Sequence, residues 1–184
     1  MKAMIIVSSV LLIGIGAANA QTESGAGTGK KEINAELRKE ERDVKRKGAT
    51  ESYQANQAFL RDFKDATNVT WKVSPMFQEA VFDENGTTIT AYYDFDSELV
   101  GTTTVKTFND IPAKAKEFIQ KHYQGYAPGE VILFDDNEAN DTDMELYNTV
   151  FDDEDNYFVS MQNDKEAIVL KVNMEGDVSY FKKL

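Results

Sequence analysis

The sequence from Tyr53 onward carries one order of patterns twice, and this duplication limits the folds that the chain can adopt. In residues 59–73, apolar residues first recur at helical spacing and then alternate with polar ones as in a β-strand. Residues 118–134 repeat that order, with about three extra residues before the strand. A pattern that occurs twice at this length predicts two similar structural units in tandem.

The parallel continues in residues 84–100 and 162–178, which align without a gap and each read as turn, strand, turn, strand. Asn85-Gly86 is the strongest short signal for a β-hairpin, and Asn163-Asp164 occupies the same place in the second segment. Alternating apolar residues predict one buried face for each sheet. These residues are Ile89, Ala91, Tyr93 and Phe95 in the first unit and Ile168, Leu170 and Val172 in the second.

The second helix is predicted to start near Pro112, with Asn109 or Asp110 as its N-cap. Its apolar stripe is predicted to contain Ile111, Ala115, Phe118 and His122. We therefore predict an α+β fold in which a helix packed on an antiparallel β-meander occurs as a tandem repeat. The first unit would span residues 51–108 and the second residues 109–184.

The first twenty residues have the pattern of a secretory signal peptide. Lys2 precedes an apolar run over residues 5–15, and the small residues Ala18 and Ala20 form an Ala-x-Ala cleavage site. We expect cleavage near Ala20 and a periplasmic or secreted location without membrane insertion, because no later apolar run is long enough to span a bilayer. The lack of cysteine excludes a disulfide scaffold and favours a bacterial periplasm.

Residues 21–50 are predicted to form a flexible, charged N-terminal segment. Residues 21–29 are rich in Gly and Ser, and residues 30–47 hold eight Lys or Arg against five Asp or Glu. The apolar stripe of residues 30–47 is thin, which indicates a solvated helix or a disordered lead-in. A helix that binds a partner is the alternative.

The rest of the chain is strongly acidic. Residues 48–184 hold eleven Lys or Arg against twenty-six Asp or Glu. Such a surface repels phosphate backbones and anionic lipids, which disfavours nucleic acid and membrane surfaces as partners. Cationic partners remain compatible with this charge.

Several short segments carry a likeness to a known family. They are "FKDATNVTWKV" (63–73), "AVFDENG" (80–86), "AYYDFDSELVGTT" (91–103), "DIPAKAKEFIQKHY" (110–123) and "VNMEGDVSYFK" (172–182). In this layout the chain resembles the PepSY-like, β-lactamase-inhibitor-like proteins exported by Bacteroidota, over most of residues 58–184. The resemblance implies a tandem helix-plus-sheet fold and a non-catalytic periplasmic role in binding or inhibiting another protein.

The residue inventory gives little support for an enzyme. His122 is the only histidine, and its place in the helical stripe, where the first unit has Phe63, predicts a structural, semi-buried role. No serine lies in a Gly-x-Ser-x-Gly turn, and no Gly-rich phosphate loop occurs. A hydrolase that uses a pair of carboxylates is the third-ranked alternative.

The acidic stretch of residues 134–155 holds ten Asp or Glu and no Lys or Arg. Carboxylates are the ligands that Ca²⁺ prefers, so a calcium-binding or envelope-structural protein is the first alternative. Its candidate metal ligands are Asp135, Asp136, Asp141 and Asp143. However, a helix-loop-helix calcium loop starting at Asp135 or Asp141 would lack the required Gly at its sixth position and Glu at its twelfth.

The other interpretation of this stretch is structural. It makes residues 135–143 an acidic loop, Met144 to Phe151 a strand with apolar residues on both faces, and residues 152–155 a turn. The charges would then lie at hydrated strand ends, where they discourage edge pairing. A covered or central strand is expected from its apolar faces.

Aromatic residues supply the candidate partner-binding positions, namely Tyr92, Trp71 and Tyr147. Tyr92 falls on the polar register of its strand, which predicts an exposed anchor. The leading hypothesis is therefore a periplasmic, non-catalytic binding module, of an inhibitor-like kind, that recognises another exported protein or peptide.

Overall fold

The computed structural model describes residues 50–184, so the predictions for the signal peptide and the charged segment lie outside the described residues. Residues 50–184 form two helices and ten strands. The helices are α1 (Tyr53–Asp62) and α2 (Ala113–His122). The strands are β1 (Thr67–Val73), β2 (Gln78–Glu84), β3 (Thr87–Tyr93), β4 (Leu99–Lys106), β5 (Ala127–Asp136), β6 (Met144–Leu146), β7 (Thr149–Phe151), β8 (Asn156–Gln162), β9 (Ala167–Asn173) and β10 (Val178–Lys183).

Eight strands form one antiparallel sheet in the order β1-β2-β3-β4-β5-β8-β9-β10. A helix followed by four strands of this sheet occurs twice along the chain. The two sets of four strands join through the β4–β5 pair, which runs from Gly101 opposite Asp136 to Lys106 opposite Val131. The α+β class is therefore confirmed, and the strands share a single sheet.

Both helices pack on one face of this sheet. Ser52 caps α1, since its Oγ accepts a hydrogen bond of 3.0 Å from the Ala55 N–H. Phe59 of α1 is 1 % exposed and packs against Tyr93 and its neighbours on the sheet. Ile119 of α2 makes the equivalent contact with the second set of strands, and each such buried side chain contributes about 1.5–3 kcal/mol to folding.

Part of the opposite face of the sheet is covered by a hairpin of β6 and β7. The prediction of one strand from Met144 to Phe151 is wrong, because Tyr147 and Asn148 have φ of 53° and 54° and form a two-residue turn. The turn places Met144 opposite Phe151, so both side chains face the sheet, whereas Val150 on the other face is 52 % exposed. The cluster beneath the hairpin contains Phe77, Val100, Phe134, Met144, Phe151, Phe158 and Val169.

The turns confirm part of the predicted register. Asn85 and Gly86 have φ of 51° and 78° and join β2 to β3, as the dipeptide predicts. The turn between β8 and β9 is longer, and Asn163 Oδ1 accepts the N–H groups of Lys165 and Glu166 there. The gapless alignment is consequently wrong, because it pairs Ala91 on the helix face with Val169 on the hairpin face.

The predictions for α2 need two corrections. The N-cap is Pro112, which offers no side-chain cap, while the Asp110 carboxylate accepts from the N–H and Oγ1 of Thr107. His122 is exposed and stacks on Phe118 with ring centroids 4.1 Å apart. Its predicted semi-buried role is wrong, because the buried stripe of α2 runs through Ala115 and Ile119 instead. Neither helix is long and apolar enough to cross a membrane.

Candidate functional site

A groove lies between the β6–β7 hairpin and the connection from β1 to β2, on the face opposite the helices. Its volume is about 560 Å³. We call it the tyrosine groove. Its lining residues are Lys72, Val73, Ser74, Pro75, Met76, Phe77, Glu79, Tyr92, Glu145, Leu146, Tyr147 and Asn148.

Tyr92 lies on the wall that β3 gives to the tyrosine groove. Its hydroxyl lies 3.1 Å from Thr103 Oγ1, and its ring meets Phe77 edge-on with centroids 5.8 Å apart. Burial is the main cause that raises the pKa of Tyr92. The prediction of an exposed anchor is wrong, because the hairpin leaves Tyr92 half-buried.

Tyr147 lies at the tip of the hairpin and borders the same groove. Its hydroxyl oxygen is buried and has no hydrogen-bond partner among residues 50–184. Its main-chain carbonyl accepts from Lys182 Nζ on β10, which fixes the hairpin tip to the sheet. Burial raises the pKa of Tyr147, and nearby Glu130 and Tyr92 raise it further.

Trp71, the third candidate aromatic residue, lies on the other face of the sheet. It packs edge-on against Phe59 of α1 with ring centroids 5.5 Å apart. The structure thus brings Tyr92 and Tyr147 together in one groove and places Trp71 in the core beneath α1.

Two carboxylates complete the tyrosine groove. Glu79 pairs with Lys72 at 3.3 Å across the β1–β2 pair, and the Glu79 side chain is 15 % exposed while that of Lys72 is 72 % exposed. Glu145 makes no ion pair within residues 50–184. The groove therefore combines aromatic rings with two carboxylates, and the ammonium groups of Lys72 and Lys182 lie at its border.

An open patch of threonines continues from the groove along β3 and β4. Tyr92 borders both regions, so the patch and the groove form one continuous surface. Thr90 and Thr103 lie opposite each other in the patch, and the nearby Val105 is 66 % exposed. Such a surface extends the area available to a protein partner.

The acidic stretch forms a separate pocket of about 550 Å³ at one end of the sheet. It is lined by Asp136, Glu138, Asp153, Glu154, Asp155, Asn173, Met174 and Glu175. The Asp136 N–H donates to Asp155 Oδ1 at 2.8 Å, whereas Asp136 Oδ1 is buried without a partner in the described part of the chain. Burial raises the pKa of Asp136, and Asp153 and Asp155 raise it further.

The four candidate metal ligands do not converge. Asp135 and Asp136 lie at the end of β5, and Asp141 and Asp143 lie in the loop that leads to β6. Within residues 50–184, no three His, Asp or Glu side chains come together in a geometry that could hold a metal ion. The pocket is thus a cluster of carboxylates at strand ends.

Sequence reasoning missed part of the tyrosine groove. Phe77, Glu79 and Glu145 were not singled out, because each lies in a short segment without a motif. One available signal was Asn148, since Asn readily adopts the positive φ of a two-residue turn. A turn at that position would have divided the predicted strand and exposed Tyr147 at its tip.

Comparison with solved structures identifies proteins of the same fold. A DUF2874 family protein from Bacteroides uniformis matches with a TM-score of 0.60 and 13% sequence identity, over 72% of this chain and 89% of that chain. A BLIP-like protein from Bacteroides fragilis matches with a TM-score of 0.58 and 15% sequence identity, over 75% of this chain and 90% of that chain. A protein from Bacteroides eggerthii described as a candidate periplasmic protein matches with a TM-score of 0.59 and 14% sequence identity, over 74% of this chain and 90% of that chain.

No family model matches the sequence, and no curated protein matches it significantly. At these identities the solved structures establish the fold alone. These BLIP-like and periplasmic neighbours from Bacteroides correspond to the resemblance drawn from the sequence. The chain therefore has the fold of the DUF2874 and BLIP-like proteins of Bacteroides.

Proposed function

We propose that the protein is a non-catalytic binding module of the periplasm that recognises another exported protein or peptide through the tyrosine groove. The fold shared with BLIP-like and candidate periplasmic proteins supports this class of function. Inhibition of the bound protein is the form of binding that the BLIP-like description suggests.

The observation that carries the proposal is the state of Tyr147. A buried hydroxyl without a hydrogen-bond partner costs about 1–3 kcal/mol relative to a satisfied one. The left-handed conformation of Tyr147, with φ of 53°, adds about 1–2 kcal/mol for a side chain with a Cβ. Folding alone would favour Phe at this position, which lacks the unpartnered hydroxyl, or Asn or Gly, which adopt the left-handed conformation at lower cost. The presence of Tyr with both unfavourable features therefore supports a role in binding.

The element order supports a further part of the proposal. We infer that residues 51–108 and 109–184 are tandem repeats, each a helix followed by four strands of the sheet. The β6–β7 hairpin is then an insertion in the second repeat, between β5 and β8. Since this insertion forms one wall of the groove, the binding site would be a later addition to a duplicated scaffold.

The competing functions have less support from the site. The single His122 is exposed at the end of α2, on the helix side of the sheet and away from the tyrosine groove. The names of the structural neighbours describe no enzyme. Calcium binding would need several acidic side chains that converge on one point, and no three do so within residues 50–184.

Photo-cross-linking at the groove tests the proposal. The exported protein would carry the photoreactive residue p-benzoylphenylalanine at Tyr147, or at Tyr180 as a matched control. Tyr180 is 59 % exposed on edge strand β10 and does not line the groove. Irradiation of intact cells, followed by purification and mass spectrometry, identifies the attached protein.

A discrete adduct from Tyr147 and none from Tyr180 is the expected result. The same adducts from both positions would show non-specific contact and contradict the proposal. Absence of any adduct from Tyr147, with the variant folded and exported normally, would also contradict it.

A further inference from the structure

We propose that the tyrosine groove binds the cationic side chain of an arginine or lysine in an extended segment of the partner. This inference rests on the proposed function and adds the chemical class of the group that is recognised. The groove offers the two kinds of surface that an organic cation prefers, aromatic rings and carboxylates.

The rings provide the first kind of contact. Phe77, Tyr92 and Tyr147 line one groove, and the Phe77 and Tyr92 rings meet edge-on at a centroid distance of 5.8 Å. A cation above an aromatic face is attracted by the negative charge of that face, and the attraction grows when water is excluded. Phe77 is 2 % exposed and supports the wall from behind, so the ring faces open to a cation are those of the half-buried Tyr92 and Tyr147.

The carboxylates provide the second kind of contact. Glu79 and Glu145 line the groove, and Lys72 is the only basic residue among its lining residues within the described chain. Lys72 is 72 % exposed, so its ion pair with Glu79 at 3.3 Å is weakly held and can yield to an incoming cation. Glu145 has no ion-pair partner within residues 50–184 and can accept hydrogen bonds from a ligand.

The unpartnered hydroxyl of Tyr147 can accept from the same ligand only after its side chain turns toward the groove, because the oxygen is buried in this structure. A guanidinium carries five N–H donors in one plane, so it can reach a carboxylate and a hydroxyl oxygen at once. The electrostatic surroundings agree, since Glu130 helps to raise the pKa of Tyr147 and Glu79 helps to raise that of Tyr92. Burial is the larger cause of both pKa shifts, and these carboxylates add to it.

The size and the overall charge of the molecule also agree with a cationic ligand. A volume of about 560 Å³ lies within the range of about 300–1,000 Å³ for sites that enclose small groups. Residues 48–184 hold eleven basic and twenty-six acidic side chains, a charge that attracts a basic segment over long distances. We expect arginine to bind more tightly than lysine, because its planar head stacks on aromatic rings.

Peptide titration followed by NMR tests the inference. The probes are acetylated and amidated pentapeptides, Ala-Ala-X-Ala-Ala, in which X is arginine, lysine or norleucine. Backbone amide shifts of the ¹⁵N-labelled protein are recorded up to about 10 mM peptide, which detects a Kd on the order of 1 mM. The variants are Glu145→Gln in the groove and Glu117→Gln, an exposed control on α2.

The arginine peptide should shift the amides of Tyr92 and Tyr147 and bind at least about ten-fold more tightly than the norleucine peptide. Glu145→Gln should weaken binding by about five-fold, whereas Glu117→Gln should leave it unchanged. Equal binding of arginine and norleucine, equal weakening by both substitutions, or no groove shift with any peptide would overturn the inference.

The two proposals fail in distinguishable ways. A specific adduct from Tyr147 together with no preference for arginine would retain the binding function and remove the cationic ligand. A preference for arginine without any cellular adduct would retain the chemistry of the groove and contradict the proposed role in the periplasm.

Discussion

Lys182 on β10 donates a hydrogen bond from Nζ to the main-chain carbonyl of Tyr147, at the tip of the hairpin formed by β6 and β7. The same Nζ donates a second hydrogen bond, of 3.3 Å, to the main-chain carbonyl oxygen of Asn148. One ammonium group thus joins an edge strand of the sheet to the tip of the segment that forms the tyrosine groove. The hairpin has no strand-to-strand pairing with the sheet, so this contact and the apolar cluster hold it in place.

Lys182→Met should destabilise the protein by about 1–2 kcal/mol, because it removes a charged donor and keeps most of the aliphatic chain. Urea unfolding measures the change. Lys183→Met is the matched control, since Lys183 pairs with Glu166 at 3.0 Å on an exposed site where such pairs contribute little. Equal effects of the two substitutions would show that Lys182 does not fix the hairpin.

Tyr93→Phe should destabilise the protein by about 1–2 kcal/mol, because it removes a partnered hydroxyl. Tyr93 is fully buried, and its hydroxyl donates to Asp62 Oδ2 at 3.2 Å, which joins β3 to the last residue of α1. Chemical denaturation of Tyr93→Phe and of the exposed control Tyr180→Phe checks this expectation. A loss in the control as large as in Tyr93→Phe would refute the role given to this hydrogen bond.

Gly101→Ala should destabilise the sheet by about 1–3 kcal/mol through overpacking. A Cβ at Gly101 would lie 2.6 Å from a ring carbon of Phe134 and 2.7 Å from the carbonyl oxygen of Asp135. Gly129→Ala is the control, because its Cβ would meet chiefly the Ser160 Oγ, which can rotate away with the loss of one exposed hydrogen bond to the Glu130 carbonyl. Thermal unfolding should show a clearly lower midpoint for Gly101→Ala, and equal midpoints would contradict the close packing described.

Asp136→Asn should stabilise the protein at neutral pH by about 0.5 kcal/mol, after allowance for solvent screening. Burial and the neighbours Asp153 and Asp155 raise the folded pKa of Asp136 above its ordinary value of 3.8, so ionisation of Asp136 opposes folding. The destabilisation by the ionised Asp136 has its whole value above the folded pKa and disappears as the pH falls toward 3.8. The stability gained by Asp136→Asn should therefore be smaller at lower pH. Urea unfolding at about pH 7 and about pH 4.5 measures it.

The exposed turn residue Asp164 provides the control for this pH dependence. Asp164→Asn should change stability by less than about 0.3 kcal/mol at either pH. A gain from Asp136→Asn that stays constant between the two pH values would mean that Asp136 is not the group responsible.

Local signals predicted much of the fold. The Asn85-Gly86 turn follows from the backbone freedom of two adjacent residues, and the alternation in β3 follows from the period of a strand. The hairpin was missed because alternation cannot distinguish one covered strand from two short strands that turn back. The exposure of His122 was missed because the apolar residues of this short helix fit two stripes. One stripe continues from Ala115 to Phe118 and His122, and the other, which the structure has, continues from Ala115 to Ile119.

The site was less predictable than the fold for a physical reason. Tyr92 and Tyr147 could be proposed separately from their residue type, but their meeting depends on how the hairpin packs across the sheet. The contribution of Phe77 depends on the same packing. Sequence periodicity contains no information on such contacts between distant segments, so the groove emerges only from the structure.

The stability of Tyr147→Phe tests the central claim most directly, namely that the Tyr147 hydroxyl is kept for a ligand and does not support the fold. Equilibrium urea unfolding of this variant, beside Tyr93→Phe, should show stability about 1 kcal/mol or more above that of the unsubstituted protein. A loss of about 1 kcal/mol or more, comparable with that of Tyr93→Phe, would show that the hydroxyl has a structural partner and contradict the account.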